Sequence, residues 1–474
     1  MRLVLCLLLF AITVNGTVSY PLKQSANHRY FIDQNNVPFL VVGDSPQSLI
    51  VKLNSTDQTT YFADRQSKGF NAVLIDVLCA TYTGGGTDGT AAGIKPFTTG
   101  TDPASYDLAT PNETYFALVD AALSRAAAVG IVVFLDPIET GSWTTTLANN
   151  GSTKATNYGA FLGNRYKNTT NIVWFHGNDF SDGCCPLNST NNNLVGNVID
   201  GIQSVDTNHL HTILLGRTDF ATNSDVYSNL DTVLSSKFGA NAAYTFSSTV
   251  NVTLNAYNST PTTPVFLGEA NYEFENILGY AGGATGTRRL RAENYGALTF
   301  GSIGGILYGN TFTTLSTWPS DQAARLDTPG AAEIAHINTL FNQIAWWNLV
   351  PDQTHAVVTV GYGSVPGNNV DPALQNYCTT SASAAAAVTY CPANTTITVA
   401  LSGFSGAVTA RKYDPSNGTF SAVSGSPFAN SGTHDFVLTG NNADGNPDWV
   451  LLLQSNAQNA ISGVTKVSGT GLIR

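Results

Sequence analysis

At 474 residues the chain is long enough for two or three domains, and its 32 acidic against 21 basic side chains leave a formal net charge of -11. That sign repels phosphate backbones and anionic lipid headgroups, which argues against nucleic acid and membrane surfaces as partners. Only 11% of the residues are charged, so Ser, Thr, Asn and Gly must cover much of the surface, a common look among extracellular proteins.

Residues 1–19 read as a signal peptide. Arg2 supplies a positive n-region, Leu3 to Val14 form an apolar stretch too short for a bilayer of about 30 Å, and small residues follow. An uncleaved membrane anchor is the alternative. No later run of about 18 apolar residues occurs, so the mature chain is expected to be a secreted, soluble monomer. Sequons from Asn54 to Asn417 agree with that address.

From about residue 28 to 350, short apolar runs alternate with helical periods. The expected strands are Phe39–Gly43, Ala72–Leu78, Ile131–Leu135, Ile172–Phe175, Thr212–Leu215, Ala243–Phe246, Val265–Leu267 and Ile303–Leu307. Most are unbroken β-branched or aliphatic runs, as suits parallel strands buried on both faces. Thr56 to Lys68 reads as a helix that starts after cap-like Asn54-Ser55 and stops at Gly69. Thr114 to Val129 puts Phe116, Val119, Leu123 and Ala126 on one face. Residues 20–350 are therefore expected to form an α/β domain, a (β/α)8 TIM barrel. A doubly wound sheet is the rival, but no G-x-G-x-x-G follows the first strand.

After Pro351 the helical periods vanish. Ala356–Val360, Thr395–Leu401, Val408–Tyr413, His434–Leu438 and Trp449–Leu453 read as short strands, so residues 351–474 are expected to form a small all-β sandwich. The alanine-rich stretch Ser381–Val388 looks like a loop insertion. Of six cysteines, Cys6 leaves with the signal. In an oxidising compartment the rest favour disulfides over metal sites. Cys378 and Cys391 close a short loop and are expected to pair. Cys79 is in a position to reach Cys184 or Cys185, and one thiol is left over.

In such a barrel the active site lies at the C-terminal strand ends, and polar groups cluster there. Asp44 follows the first strand, Asp136 the third, Asn178-Asp179 the fourth, Arg217 the fifth, Glu269 the seventh, and Tyr308 with Asn310 the eighth. Glycosidic cleavage needs two carboxyl groups, one to protonate the leaving oxygen and one to attack the anomeric carbon or activate water. Asp179 and Glu269 each end an apolar strand that opens into a polar tip, after strands four and seven, the placement of the retaining barrel glycosidases. The competing readings are a helix cap or loop ion pair for Asp179, and a supporting role for Glu269 with Glu273 as the catalyst. No metal site or cofactor is expected: the histidines lack H-x-x-x-H spacing, no C-x-x-C occurs, and no G-x-S-x-G elbow supports a serine triad.

Several stretches, taken together, resemble the apiosidase-like barrel family. They are Pro38-Phe39 … Gly43-Asp44-Ser45, Tyr61-Phe62 … Arg65 … Gly69-Phe70-Asn71, Trp174 to Asp179, Gly268-Glu269-Ala270-Asn271-Tyr272-Glu273, and Gly304 to Asn310 followed by Trp318. The segment from Asp414-Pro415 to Leu452 resembles the β-sandwich usually attached to that barrel, which is named for collagen binding. The resemblance implies a glycoside hydrolase with Asp179 as acid/base and Glu269 as nucleophile, acting on a polysaccharide or oligosaccharide. Pro46-Gln47-Ser48 stands where the family often has an aromatic, so the sugar does not carry over. Supporting substrate contacts are expected from Asp44, His176, Asn178, Tyr272, Glu273, Tyr308, Asn310 and Trp318, with Asp76 and Trp143 as further candidates. The alternative function is a non-catalytic carbohydrate- or matrix-binding protein on a barrel scaffold.

Overall fold

The computed structural model describes residues 18–79, 89–181, 188–216, 236–311, 325–367 and 370–456. Eight parallel strands form its central sheet: β1 Val41–Asp44, β2 Ala72–Asp76, β3 Val132–Asp136, β4 Ile172–Phe180, β5 His211–Leu215, β6 Asn241–Tyr244, β7 Val265–Glu269 and β8 Gly305–Tyr308. Neighbours pair in chain order, and β8 returns to β1 with Gly305 opposite Val41. The seam between β5 and β6 is crossed by Gly239 N–H to His211 O and by Thr212 Oγ1 to Ala240 O, both at 2.9 Å. The sheet is thus a nearly closed barrel. Each expected strand is present; the largest difference is β4, which runs to Phe180 rather than Phe175.

The strands are aliphatic on both faces because both faces are covered. Leu74, Phe134, Phe175 and Phe266 fill the barrel, while Val73, Ile75, Val133 and Trp174 face the helices. Full burial of one such side chain contributes about 1.5–3 kcal/mol. Phe134 sits centrally, its ring 5.1 Å from that of Phe266 and 6.2 Å from that of Phe175. An antiparallel ribbon of Lys23–Gln24, Phe31–Ile32 and Pro38–Phe39 closes the N-terminal end, where Phe31 meets Phe266 edge-on at 6.0 Å.

Around the barrel lie α1 Ser55–Ser67, α2 Glu113–Ala128, α3 Thr140–Tyr166, α4 Ser189–Gln203, α5 Thr249–Asn258, α6 Thr287–Leu298 and α7 Pro329–Phe341. The start and stop signals work as read. The Asn54 side chain accepts the Thr56 and Asp57 N–H groups, and Gly69 (φ +81°) lets Phe70 N–H turn back to Arg65 O.

Two antiparallel sheets follow. The larger runs Val350–Pro351, Thr379–Ala382, Ala386–Cys391, Trp449–Ser455, Val408–Asp414, Thr419–Ala422; the smaller joins Val358–Val360, Thr395–Ala400 and Thr433–Leu438. Ala387, Leu451 and Leu453 pack between the two sheets, while Val388, Tyr390, Val450 and Leu452 pack onto Leu290, Ile334 and Leu340 of α6 and α7. Arg289 forms two hydrogen bonds with Asp371, at 2.9 and 2.7 Å, and Arg291 two with Asp448, at 2.7 and 3.0 Å. Removing one partner of such a buried, forked pair costs about 3–5 kcal/mol, so the sandwich is fastened to the barrel. Cys378 and Cys391 are disulfide-bonded, as expected. The stretch Ser381–Val388 is a correction: it belongs to a β-hairpin and not to a loop insertion. Its alanines suit a strand covered on both faces, where Ala387 meets the other sheet and Ala386 the barrel.

Candidate active site

Glu269 ends β7 after a bulge. Leu267 is opposite Ala243 and Glu269 is opposite Tyr244, so Gly268 is the extra residue. Such an insertion reverses the alternation of side chains. Leu267 faces the helices, whereas Glu269 turns to the inner face that Tyr244 occupies. There the phenols of Tyr272 and Tyr244 lie beside its carboxylate and favour its charged form. Gln47 Nε2 donates to Tyr272 Oη at 3.0 Å, which leaves the phenol hydrogen for Glu269. Glu269 Oε2 is buried and has no partner. Burial pushes the Glu269 carboxyl well above the usual range; the charge of Asp179 adds to this, and the two phenols oppose it.

Asp179 lies on a second irregularity. His176 is opposite Ile213 and Phe180 is opposite Leu215, and between them the chain bulges at Gly177, Asn178 and Asp179. All three have left-handed φ, +96°, +39° and +64°. Asn and Asp are the side-chain-bearing residues that best tolerate this region. At Gly177 a Cβ would come within 2.8 Å of Leu214 O. Each strained non-glycine residue costs about 1–3 kcal/mol, which the surrounding packing offsets: Thr140 Oγ1 donates to Gly177 O and Asn178 O. Asn178 is buried with both amide atoms unpartnered. Asp179 is half-buried, and its charge acts on Glu269, Tyr244 and Tyr272. The fold therefore brings Asp179 and Glu269 to one mouth.

Residues 25–348 match the family model described as "Apiosidase-like, catalytic domain". The chain belongs to the apiosidase-like family. Residues 365–454 match a second model, "Putative collagen-binding domain of a collagenase". Among solved structures, one described only as a glycoside hydrolase has a TM-score of 0.72 at 20% identity, covering 93% of this chain and 98% of the other. A glycoside hydrolase family 5 protein from Bacteroides vulgatus ATCC 8482 also has a TM-score of 0.72 at 20% identity, covering 93% and 95%. At that identity the likeness speaks for the fold. No curated protein matches the chain by sequence. The apiosidase-like enzyme is a glycoside hydrolase. Among the described residues no helix is long and apolar enough to cross a membrane.

Other candidate residues of the apiosidase-like barrel have different surroundings. Asp44 follows outward-facing Val42 and is buried against α1, where Tyr61 Oη and Arg65 Nε each bond to its Oδ2 at 2.6 Å. Ser45 N–H occupies Oδ1. Both oxygens are thus engaged, and Asp44 sits in a buried ion pair with Arg65. Asp44→Ala would strand a fully buried guanidinium; we expect a loss of about 3–5 kcal/mol in urea denaturation, and an unchanged midpoint would refute this role. Glu273 is similarly committed: Tyr308 Oη donates to one oxygen, and Gly330 N–H, at the start of α7, to the other at 2.8 Å. Asn310 Nδ2 bonds to Tyr308 Oη at 3.1 Å. Glu273, Tyr308 and Asn310 thus form a buried knot that holds α7.

His176 stands on the outward face with Trp174. Its Nε2 pairs with His211 Nδ1 at 2.9 Å, and the rings stack 5.2 Å apart. Burial lowers the pKa of both, which keeps the pair neutral. Trp143 is buried, stacks on Tyr106 and donates Nε1–H to Cys79 O, which fits packing. Trp318, Arg217, Cys184 and Cys185 lie outside the described residues. Sequence reasoning missed Tyr244, placed mid-strand, and Gln47, noticed only as a departure from the family pattern. A tyrosine at a strand end and a glutamine just past one were the available signals.

Proposed function

We propose that this protein is a secreted glycosidase that cleaves an extracellular or cell-wall polysaccharide or oligosaccharide with retention, Glu269 acting as nucleophile and Asp179 as acid/base. The observation that carries it is the Glu269 carboxylate, flanked by two phenols, with one oxygen unpartnered, in the field of a second carboxyl. Two such groups in a buried mouth do not both ionise cheaply. The mechanism needs charge on Glu269, which the two phenols favour against burial, and a proton on Asp179. Asp179 gives that proton to the glycosidic oxygen as the bond to the anomeric carbon breaks and Glu269 closes a covalent bond on the opposite face. Asp179 then takes a proton from water, which attacks the anomeric carbon and frees Glu269. The unpartnered Asn178 amide beside Asp179 is suited to a sugar hydroxyl. Release of apiose from pectin side chains is the narrower reading that the family name favours.

Secretion is supported by the disulfide and by sequons at exposed Asn168 and Asn394. The Asn150 amide, by contrast, is committed to Tyr106 O and Thr146 O. The test is a screen of the purified protein against plant and fungal wall polysaccharides, reading released sugars by chromatography and the first-formed anomer by NMR. We expect release with the starting configuration kept. An inverted first product would remove Glu269 as nucleophile, and no release from any substrate would overturn the hydrolytic reading.

A further inference from the structure

At the ends of β2 and β3 two more carboxyl groups meet. Asp76 and Asp136 are Cα partners on adjacent parallel strands, which lie about 4.8 Å apart. Each follows an inward-facing residue, Leu74 or Phe134, by two positions, so both side chains point into the barrel. Both are fully buried. Asp76 Oδ1, Asp76 Oδ2 and Asp136 Oδ2 meet no nitrogen or oxygen donor, and the Cys79 thiol is the weak donor beside Asp76; Asp136 Oδ1 accepts Ile138 N–H at 3.2 Å. The charges acting on Asp76 are acidic: Asp136, Glu139 and Glu269. Two adjacent buried carboxylates without a cation repel each other, and desolvation costs several kcal/mol per ion. One proton between them makes one oxygen a donor and another its acceptor, and two of the three bare atoms are satisfied at once.

We propose that Asp76 and Asp136 share a single proton and act as a positioning pair that sets how readily Glu269 holds its negative charge. The inference rests on Glu269 being the working carboxylate. The pair is asymmetric toward Glu269: in the strand order β3-β2-β1-β8-β7, Asp76 stands three strands from β7 and Asp136 four, and the Glu269 charge acts on Asp76. Among the described residues, the other titratable groups around the pair are the Cys79 thiol beside Asp76, Glu139 at the start of α3, Tyr115 of α2 and Tyr158 of α3. Glu269 itself faces Asp179, Tyr244, Tyr272 and Glu275. Negative charge on Asp76 therefore disfavours the Glu269 anion, and moving that charge to Asp136 relieves it.

Two isosteric replacements test this with opposite signs. In Asp136→Asn the new amide donates to Asp76 and fixes the charge there, so the acid limb of kcat/KM moves up by roughly half a pH unit. In Asp76→Asn the charge sits on Asp136, and the limb moves down by roughly as much. Limbs that stay put, or move the same way, overturn the positioning role. A second readout needs no catalysis. Burial and the partner hold the folded pair's proton above the ordinary carboxyl range, so this contribution is fully present below about pH 4 and is lost as pH rises through the folded value. Both variants are expected to flatten that fall in denaturant stability, and an unchanged slope in either rules out the shared proton. An inactive wild type would remove the glycosidase reading, and the slope would still decide the proton. Either variant alone carries a signed expectation, so loss of one to misfolding leaves the other decisive.

Discussion

Replacing Glu269 by Gln is expected to lower kcat by about four to six orders of magnitude, with Tm changed by no more than about 2 °C. The amide fills the same space and still accepts a phenol hydrogen, but it cannot form the bond to the anomeric carbon. Burial already pushes the Glu269 carboxyl up, so removing its charge relieves the fold of a desolvation cost instead of adding one. The control is Glu273→Gln, which weakens the contacts to Tyr308 and Gly330. It should lose roughly 1–3 kcal/mol of stability and keep the turnover of the molecules that remain folded. Initial rates and calorimetry on the same preparations separate the two. Full turnover in the Glu269 variant would transfer the nucleophile's role to Glu273.

Asp179→Asn is expected to divide substrates by leaving group. Natural linkages, whose alkoxide must be protonated as it departs, should lose about 10²- to 10⁴-fold in kcat/KM. An aryl glycoside that leaves as a stable phenolate should lose far less in the first step, because it needs no acid. Its second step, which depends on Asp179 to take a proton from water, should become limiting, and azide should restore it as a nucleophile that needs no base. The product would then be a glycosyl azide of the starting configuration. An equal loss on both substrate kinds, with no response to azide, would show that Asp179 serves the fold and not proton transfer.

The barrel was legible because parallel strands covered on both faces are written as unbroken aliphatic runs. The same property hides which side chains face inward. Asp44, Asp76 and Asp136 all read as carboxylates at strand ends, but Asp44 follows outward Val42 and enters an ion pair, while the other two follow Leu74 and Phe134 into the interior. Nothing in a run such as Val-Val-Gly-Asp reveals that parity. The bulges conceal more. Counting by twos through Val265-Phe266-Leu267-Gly268-Glu269 sends Glu269 outward, and only the extra residue at Gly268 brings it onto the side of Tyr244. The hairpin of the sandwich was missed for a related reason: alanine is a poor advertisement for a strand unless both faces are known to be crowded.

The left-handed run Gly177-Asn178-Asp179 also limits how this enzyme can change by descent. Its backbone admits Gly, Asn or Asp without serious strain and penalises nearly every other side chain. A mutation from Asp179 to Glu, a small step in the genetic code, would lengthen the side chain by one methylene and place it on a conformation that Glu tolerates poorly. The register shift between His176 and Phe180 sets where this short carboxyl stands. Carboxyl length and strand shape are therefore inherited together, and a lineage that loses one must rebuild the other.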